Sequence, residues 1–114
     1  MLPTKNRLPR RLFGPFFKKS KAVFADHFVL RYLSPTNSKE IRFSVAIPKT
    51  MAKKATQRNK IKRQIYSILQ KEIKKIKPPC FGVFLSKKGA DTLSFGQIKA
   101  EILFLLKKSQ IRVD

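Results

Sequence analysis

Between Lys49 and Arg63 the chain reads KTMAKKATQRNKIKR, a stretch with seven positive side chains and no acid. The chemistry open to such a stretch is phosphate binding. Arg58, Lys60, Lys62 and Arg63 crowd the first turns of a predicted helix, whose free N-terminal amides and positive dipole end already attract oxyanions. Lys49, Lys53 and Lys54 precede them, and Asn59 brings an amide that donates and accepts at sugar or base edges. At about 100° per residue, Arg58 and Lys62 share one flank near the apolar stripe while Asn59 and Arg63 turn to the opposite side. One helix can thus address two surfaces. The plainer reading is an exposed helix start with ordinary charge, and so dense a cluster favours binding over it.

A second chemistry lies in the aromatics. Ten phenylalanines and no tryptophan give more ring area than the core obviously needs. Single-stranded RNA binds by stacking bases on exposed rings beside positive charge. Phe13 and Phe17, four residues apart, are the rings of interest, although core packing is an equally good use for them on periodicity alone.

Self-contained catalysis finds no support. The acids Asp26, Glu40, Glu72, Asp91, Glu101 and Asp114 are so spaced that no local motif offers a carboxylate pair or a hard-cation cage. They read as solvated surface acids. The one cysteine, Cys80, and the one histidine, His27, lie far apart in sequence, match no nucleophile–base context and cannot make a zinc site. His27 reads as a surface or edge residue, and Cys80 as a packed or exposed thiol beside Pro78-Pro79. No Gly-x-Ser-x-Gly elbow occurs, and the four glycines form no nucleotide-binding pattern.

The whole composition points the same way. Against 6 Asp and Glu stand 27 Lys and Arg, a formal charge of +21. Ordinary solubility needs a net charge of only about 2 to 8, and a larger excess repels the folded chain from itself unless a polyanion neutralises it. Nucleic acid is the leading partner and an anionic membrane surface the competitor. No apolar stretch approaches the roughly 20 residues that span a bilayer, the longest clean run being Ile102 to Leu106. The opening MLPTKNRLPRR is basic and acid-poor like a transit peptide, yet Pro3, Pro9 and Pro15 break the long amphipathic helix such a peptide forms. No secretory apolar segment follows. A lone cysteine forms no internal disulfide and fits a reducing cytoplasm. The 42% of hydrophobic residues suffices for one modest core, so residues 1–114 read as a single domain.

The elements that must position these residues follow from periodicity. Leu12, Phe13, Phe16 and Phe17 suit one face of a short helix over 9–19; Gly14-Pro15 sits inside it, which allows a start only near Pro15. Phe24, Phe28, Leu30 and Tyr32 keep even spacing with Val29 and Leu33 on the other side, as in one strand from Ala22 to Leu33. Ser34-Pro35-Thr36-Asn37-Ser38 reads as a turn into a second strand, where Ile41, Phe43, Val45 and Ile47 alternate with Arg42, Ser44 and Ala46. The two strands suggest an antiparallel hairpin. A helix over 57–77 carries the stripe Ile61, Ile65, Ile68, Leu69, Ile73 and Ile76, with Thr56 as candidate N-cap and Pro78-Pro79 as its stop. Phe81, Val83 and Leu85 alternate with Gly82, Phe84 and Ser86 as a further strand. Ser94 and Gln97 form a capping-box pattern before Phe95, Ile98, Ile102, Leu105 and Leu106, and Leu93 with Ile98 a hydrophobic staple. The order is helix, two or three strands, long helix, strand, helix, with the helices covering one face of a small sheet.

QRNKIKR, preceded by PKTMAKKAT, resembles the RNR motif of the bacterial ribonuclease P protein family, in which a V-x-K-K segment leads through Ala-Val to R-N-R-x-K-R. Lys49, Ala55, Arg58, Asn59, Lys62 and Arg63 stand at matching positions. The likeness continues in order through NRL at Asn6 to Leu8, the Phe-rich segment Phe13 to Phe17, FVLRYL at Phe28 to Leu33, and the last strand and helix with Leu93-Ser94-Phe95. It covers nearly the whole chain. The departures are Thr50 for the second lysine of the K-K pair, Lys60 at the third RNR position and Lys87 for the usual arginine after the last strand. Lysine lacks the bidentate fork of arginine. Gly14-Pro15 interrupts the family's first helix, which makes Phe16 the alternative lining residue to Phe13 and Phe17.

The resemblance implies an α+β sandwich of order α-β-β-β-α-β-α with a left-handed βαβ crossover, of the ribosomal protein S5 domain 2-like kind. It implies the non-catalytic protein subunit of an endoribonuclease, whose RNA partner hydrolyses precursor tRNA to remove the 5′ leader. Mg²⁺ is expected mainly on that RNA and the substrate. The protein is expected to bind the catalytic RNA through Lys49, Lys53, Lys54, Arg58, Asn59, Lys60, Lys62 and Arg63. The leader is expected on Phe13 and Phe17 with Lys49 and Lys87, in a cleft between the first helix and the sheet. No membrane and no obligate protein partner are expected. Two rivals stand beside this reading: a structural RNA-binding protein of ribosomal type, and a basic membrane-surface protein using the Ile-rich helix.

Overall fold

The segment Cys80–Ser86 forms an interior strand, β4, and the direction in which each of its residues points sorts the rest of the molecule. A computed structural model describes residues 3–36, 38–51 and 54–111. Strands β1 (Lys21–Phe24), β2 (Phe28–Leu33) and β3 (Ile41–Ala46) join β4 in one sheet of order β1-β2-β4-β3. β1 with β2 and β2 with β4 are antiparallel, whereas β3 with β4 is parallel. Helices α1 (Phe13–Lys19), α2 (Ala55–Glu72) and α3 (Phe95–Lys108) complete the order α-β-β-β-α-β-α. Adjacent parallel strands need a crossover connection, and β3–α2–β4 is the βαβ unit that the resemblance implies.

On one face of the sheet, Phe28, Leu30, Phe43, Val45, Cys80 and Phe84 are buried under α2 and α3. The α2 stripe Ile61, Ile65, Ile68 and Leu69 meets Ile98, Ile102, Leu105 and Leu106 of α3 there. On the other face Val83 packs against Leu8 and Phe16, with Leu12, Phe13, Phe17, Leu33, Phe81 and Leu85 around them. The helices therefore do not all cover one face. A strand that is apolar on both sides needs cover on both, and CFGVFLS is such a strand; α1 supplies the second layer.

Three further sequence expectations require correction. The strand expected from Ala22 to Leu33 is two strands, because the chain reverses at Asp26-His27, where the Ala25 N–H donates to Phe28 O at 2.9 Å. Phe24 consequently pairs with Val29 and lies on the face opposite Phe28. The hairpin expected between β2 and β3 does not form, since β4 inserts between them and offers β3 a parallel partner. Thr56 is not a cap. Lys54 holds the N-cap position without a side-chain cap, and Thr56 falls inside the first turn.

Helix α1 starts at Phe13, which places Pro15 in the first turn, where no N–H is needed for the ladder. Helix α2 passes through a 3-10 turn at Ile73–Lys75 before Pro78-Pro79. The capping box of α3 is complete: Gln97 N–H donates to Ser94 Oγ at 3.2 Å, and Ser94 N–H to Gln97 Oε1 at 2.9 Å. Leu93 and Ile98 pack in the same core, as a staple requires. The turn residue Asn37 lies outside the described residues.

The outer edge of β3 is closed within the chain. Ile41 O accepts from the Asn6 amide at 2.8 Å, Phe43 O from the Leu8 N–H at 3.0 Å, and the Val45 N–H donates to Tyr66 Oη at 3.2 Å. The corner between β1 and β2 is fastened to α3 by Glu101, which accepts from the His27 N–H and pairs with the His27 ring Nδ1, both at 2.7 Å. The partners of His27 are thus structural.

Across the β3–β4 pair, Phe43 lies opposite Gly82, and a Cβ at Gly82 would stand 2.7 Å from Phe43 Cδ1. Phe43 is fully buried and has no room to give. Gly82→Ala should therefore cost about 1–3 kcal/mol, as overpacking does. Urea denaturation should show a lower midpoint with an unchanged slope; parental stability would mean that the ring moves freely.

Candidate nucleic-acid interface

The basic cluster is positioned by burial of its neighbours. Ile61 and Ile65 anchor the first turns of α2 in the core, at 4% and 0% exposure, and so fix which way the cations point. Arg58 and Lys62 are half-buried on one flank, while Asn59, Lys60 and Arg63 are exposed. This is the two-sided arrangement that helical spacing predicts. Lys49 and Lys54 are exposed ahead of the helix; Lys53 lies outside the described residues. The first turn contains no acidic residue, and no side chain caps it. The positive end of the helix dipole and the lysines and arginines therefore add.

A second surface forms where α1 crosses the sheet. Phe16 is 3% exposed and packs with Leu8 and Val83, so it belongs to the core. Phe13 and Phe17 are only half-buried, with their rings edge to face at 5.5 Å. Of the two placements open for this helix, the one with Phe13 and Phe17 at the surface is realised. The Arg31 guanidinium stands 5.9 Å from the Phe17 centroid and donates to Ser20 Oγ at 3.2 Å. A ring and a cation are thereby held together on one side of the sheet.

Lys87 follows the C-terminal end of β4 and Lys49 that of β3, whose last residue Ala46 pairs with Leu85. The Lys87 ammonium donates to Ala25 O at 2.8 Å and lies 5.4 Å from the centroid of Phe24. Arg31 and Phe24 escaped the sequence reading. Arg31 had a signal, since it alternates with Val29 and Leu33 on the strand face beneath α1. Phe24 had none, because an unbroken strand would have turned it inward.

Among the described acids, three glutamates are engaged in ion pairs. Glu40 pairs with Arg42, Glu72 with Lys75 at 3.4 Å, and Glu101 with His27. Among the described residues no three of His, Cys, Asp and Glu gather as a metal cage, so these side chains do not fit a hard-cation site. Cys80 is buried, and desolvation pushes its thiol from 9.0 up to about 12. A thiol so seldom ionised is a poor nucleophile. It also starts β4, whereas His27 lies beyond the other end of that strand beside Lys87, roughly 20 Å away at strand rise.

An α+β sandwich with a cationic helix start on one side and a ring-and-cation surface on the other defines a small basic protein built to hold a polyanion. Comparison with known proteins is specific. The Ribonuclease P family model matches residues 2–110. The ribonuclease P protein component of Bacillus pumilus is 30% identical over 108 residues, covering 94% of this chain and 90% of the relative. That of Mycoplasma genitalium is 37% identical over 99 residues, covering 87% and 76%. The solved RNase P protein of Staphylococcus aureus superposes with a TM-score of 0.86 at 20% identity, over 96% of this chain and 99% of the other, a likeness of fold. The chain belongs to the ribonuclease P protein family.

Proposed function

We propose that this chain binds the catalytic RNA of ribonuclease P through the start of α2 and accepts the 5′ leader of precursor tRNA on the surface between α1 and the sheet. The RNA-binding residues are Lys49, Lys53, Lys54, Arg58, Asn59, Lys60, Lys62 and Arg63. Phe13, Phe17, Lys49 and Lys87 serve the leader, and Arg31 joins them. The observation that carries the leader reading is the Phe17–Arg31 pair, a half-buried ring beside a tethered cation at 5.9 Å. Stacking on such a ring is tolerant of sequence, as a subunit serving many precursors requires.

Hydrolysis is the work of the RNA, with Mg²⁺ supplied by RNA and substrate rather than by this chain. What the protein contributes is position and charge. Fixing the leader relative to the catalytic RNA turns an encounter into an oriented complex, and the cations lower repulsion between two polyanions. Lys60 and Lys87 act as point charges, without the planar fork of arginine. The expected setting is cytoplasmic, with RNA and precursor tRNA as the partners and no obligate protein partner.

A membrane-surface role would need the Ile-rich stripe of α2 exposed, and Ile61, Ile65, Ile68 and Leu69 are buried. Among the described residues no helix is long and apolar enough to cross a membrane. The ribosomal-type alternative shares charge and size, and activity separates the two. Protein alone should leave precursor tRNA intact, whereas protein with a bacterial ribonuclease P RNA and Mg²⁺ should yield mature 5′ ends faster than that RNA alone. No stimulation by the protein would favour the structural RNA-binding role.

Replacing Arg58, Lys62 and Arg63 together by alanine should weaken binding to that RNA and flatten its salt dependence. Each lost phosphate contact removes about 0.7 to 0.9 from the log–log slope. An unchanged slope in a folded triple variant would move the RNA surface elsewhere. Phe13→Ala and Phe17→Ala should each cost about 1–3 kcal/mol in binding precursor tRNA if a base stacks on the ring. Mature tRNA, which has no leader, should bind both variants as it binds the parent; equal losses on both substrates would point to a folding defect.

A further inference from the structure

We infer that Phe24, with the Lys87 ammonium over its ring, is a second stacking platform for an unpaired nucleotide of the leader, beyond the Phe17–Arg31 pair. This rests on the leader reading above. Phe24 is 55% exposed on the edge strand β1. A single exposed ring is ordinary, but this one has a cation fixed against it. Lys87 Nζ lies 5.4 Å from the centroid and is tethered by its 2.8 Å hydrogen bond to Ala25 O. An ammonium has three donors, so two are left for a phosphate. A π-face next to a tethered positive charge is what sequence-tolerant binding of single strands uses.

The register puts both ring-and-cation pairs on one face. Ala22 lies opposite Arg31 and Phe24 opposite Val29, so Phe24 is one strand outward from Arg31 and about 7 Å further along. Ala22 and Val29 are the strand partners in that register. The sheet order supplies the direction. α2 packs on β3 at one edge, and β1 is the other edge. A leader leaving an RNA held at α2 crosses β4 and β2 before it reaches β1, which puts Phe24 at its 5′ side. The groove on the far side of Phe24, toward Phe104 of α3, is lined by Asp26 and Glu101. The exposed Asp26 repels phosphate there and favours the Lys87 side, while Glu101 is already paired with His27.

The test uses the reconstituted protein–RNA holoenzyme and precursor tRNAs whose leaders are lengthened one nucleotide at a time. Phe17→Ala should lose affinity already with short leaders. Phe24→Ala should match the parent on short leaders and fall about 5- to 150-fold below it once the leader is long enough to reach β1. Phe24→Tyr should keep the affinity, and Phe24→Leu, apolar without a π-face, should lose it. Because the ring is half exposed, the urea midpoint of Phe24→Ala should stay near that of the parent. Parental affinity of Phe24→Ala at every length, with Phe17→Ala impaired, would overturn this inference alone. If neither variant responded to leader length, the leader reading itself would fall. A loss shared with mature tRNA would also overturn the platform, since that substrate has nothing to stack there.

Discussion

Val83 and Phe84 are neighbours in β4, point to opposite faces of the sheet, and are both fully buried. The remaining architecture depends on that double burial. It obliges the molecule to build two cores rather than one, a large core beneath α2 and α3 and a smaller core beneath α1. It also divides the labour of the helices. Those on the large core are held over their length by isoleucine and leucine stripes, while α1 is short and contributes one buried ring, Phe16. The flanking rings of α1 are left at the surface as a by-product of how little apolar area the second face has to hide.

The same division separates two kinds of charge. At the start of α2, cations accumulate around uncapped amides, and the field there belongs to a helix end. On the second face Arg31 and Lys87 are individually tethered, one to Ser20 Oγ and one to Ala25 O, and each lies against a ring. The first arrangement presents a broad positive field; the second presents single charges at defined places. With +21 on the whole chain, attraction to any polyanion is general, so it is the placement of rings that distinguishes one surface from another.

Much of this was legible in the sequence because it is periodic. The alternation in IRFSVA and CFGVFLS, the stripe of α2 and the reciprocal Ser94–Gln97 cap all depend on near neighbours, and all are present. The two flanks of the basic helix followed from the angle per residue alone. What failed depends on contacts distant in sequence or on unmarked turns. Asp26-His27 reverses the chain without a glycine or proline to announce it, so the residue pattern suggests one strand where two exist and puts Phe24 on the wrong face. Strand order could not be read either, since β4 reaches its place between β2 and β3 only after the long excursion of α2. The Glu101 clamp on His27 joins residues 74 apart, and no local pattern marks it. The choice between Phe16 and the Phe13–Phe17 pair turned on a one-residue phase of α1, which Pro15 settles by sitting in the first turn.

Asn6 and Leu8 occupy the outer edge of β3 from 35 residues away, together with Tyr66. An open strand edge is a template on which other chains can add, and here three of the edge groups are already engaged. The opening residues are therefore a seal as well as a lead-in to α1. A chain clipped between Leu8 and Phe13 would keep its ring surface and its basic helix, yet would bare Ile41 O and Phe43 O along a strand that ends in the core. Loss of that segment, which takes Lys5 and Arg7 with it, would then register as self-association while α1, α2 and α3 remain.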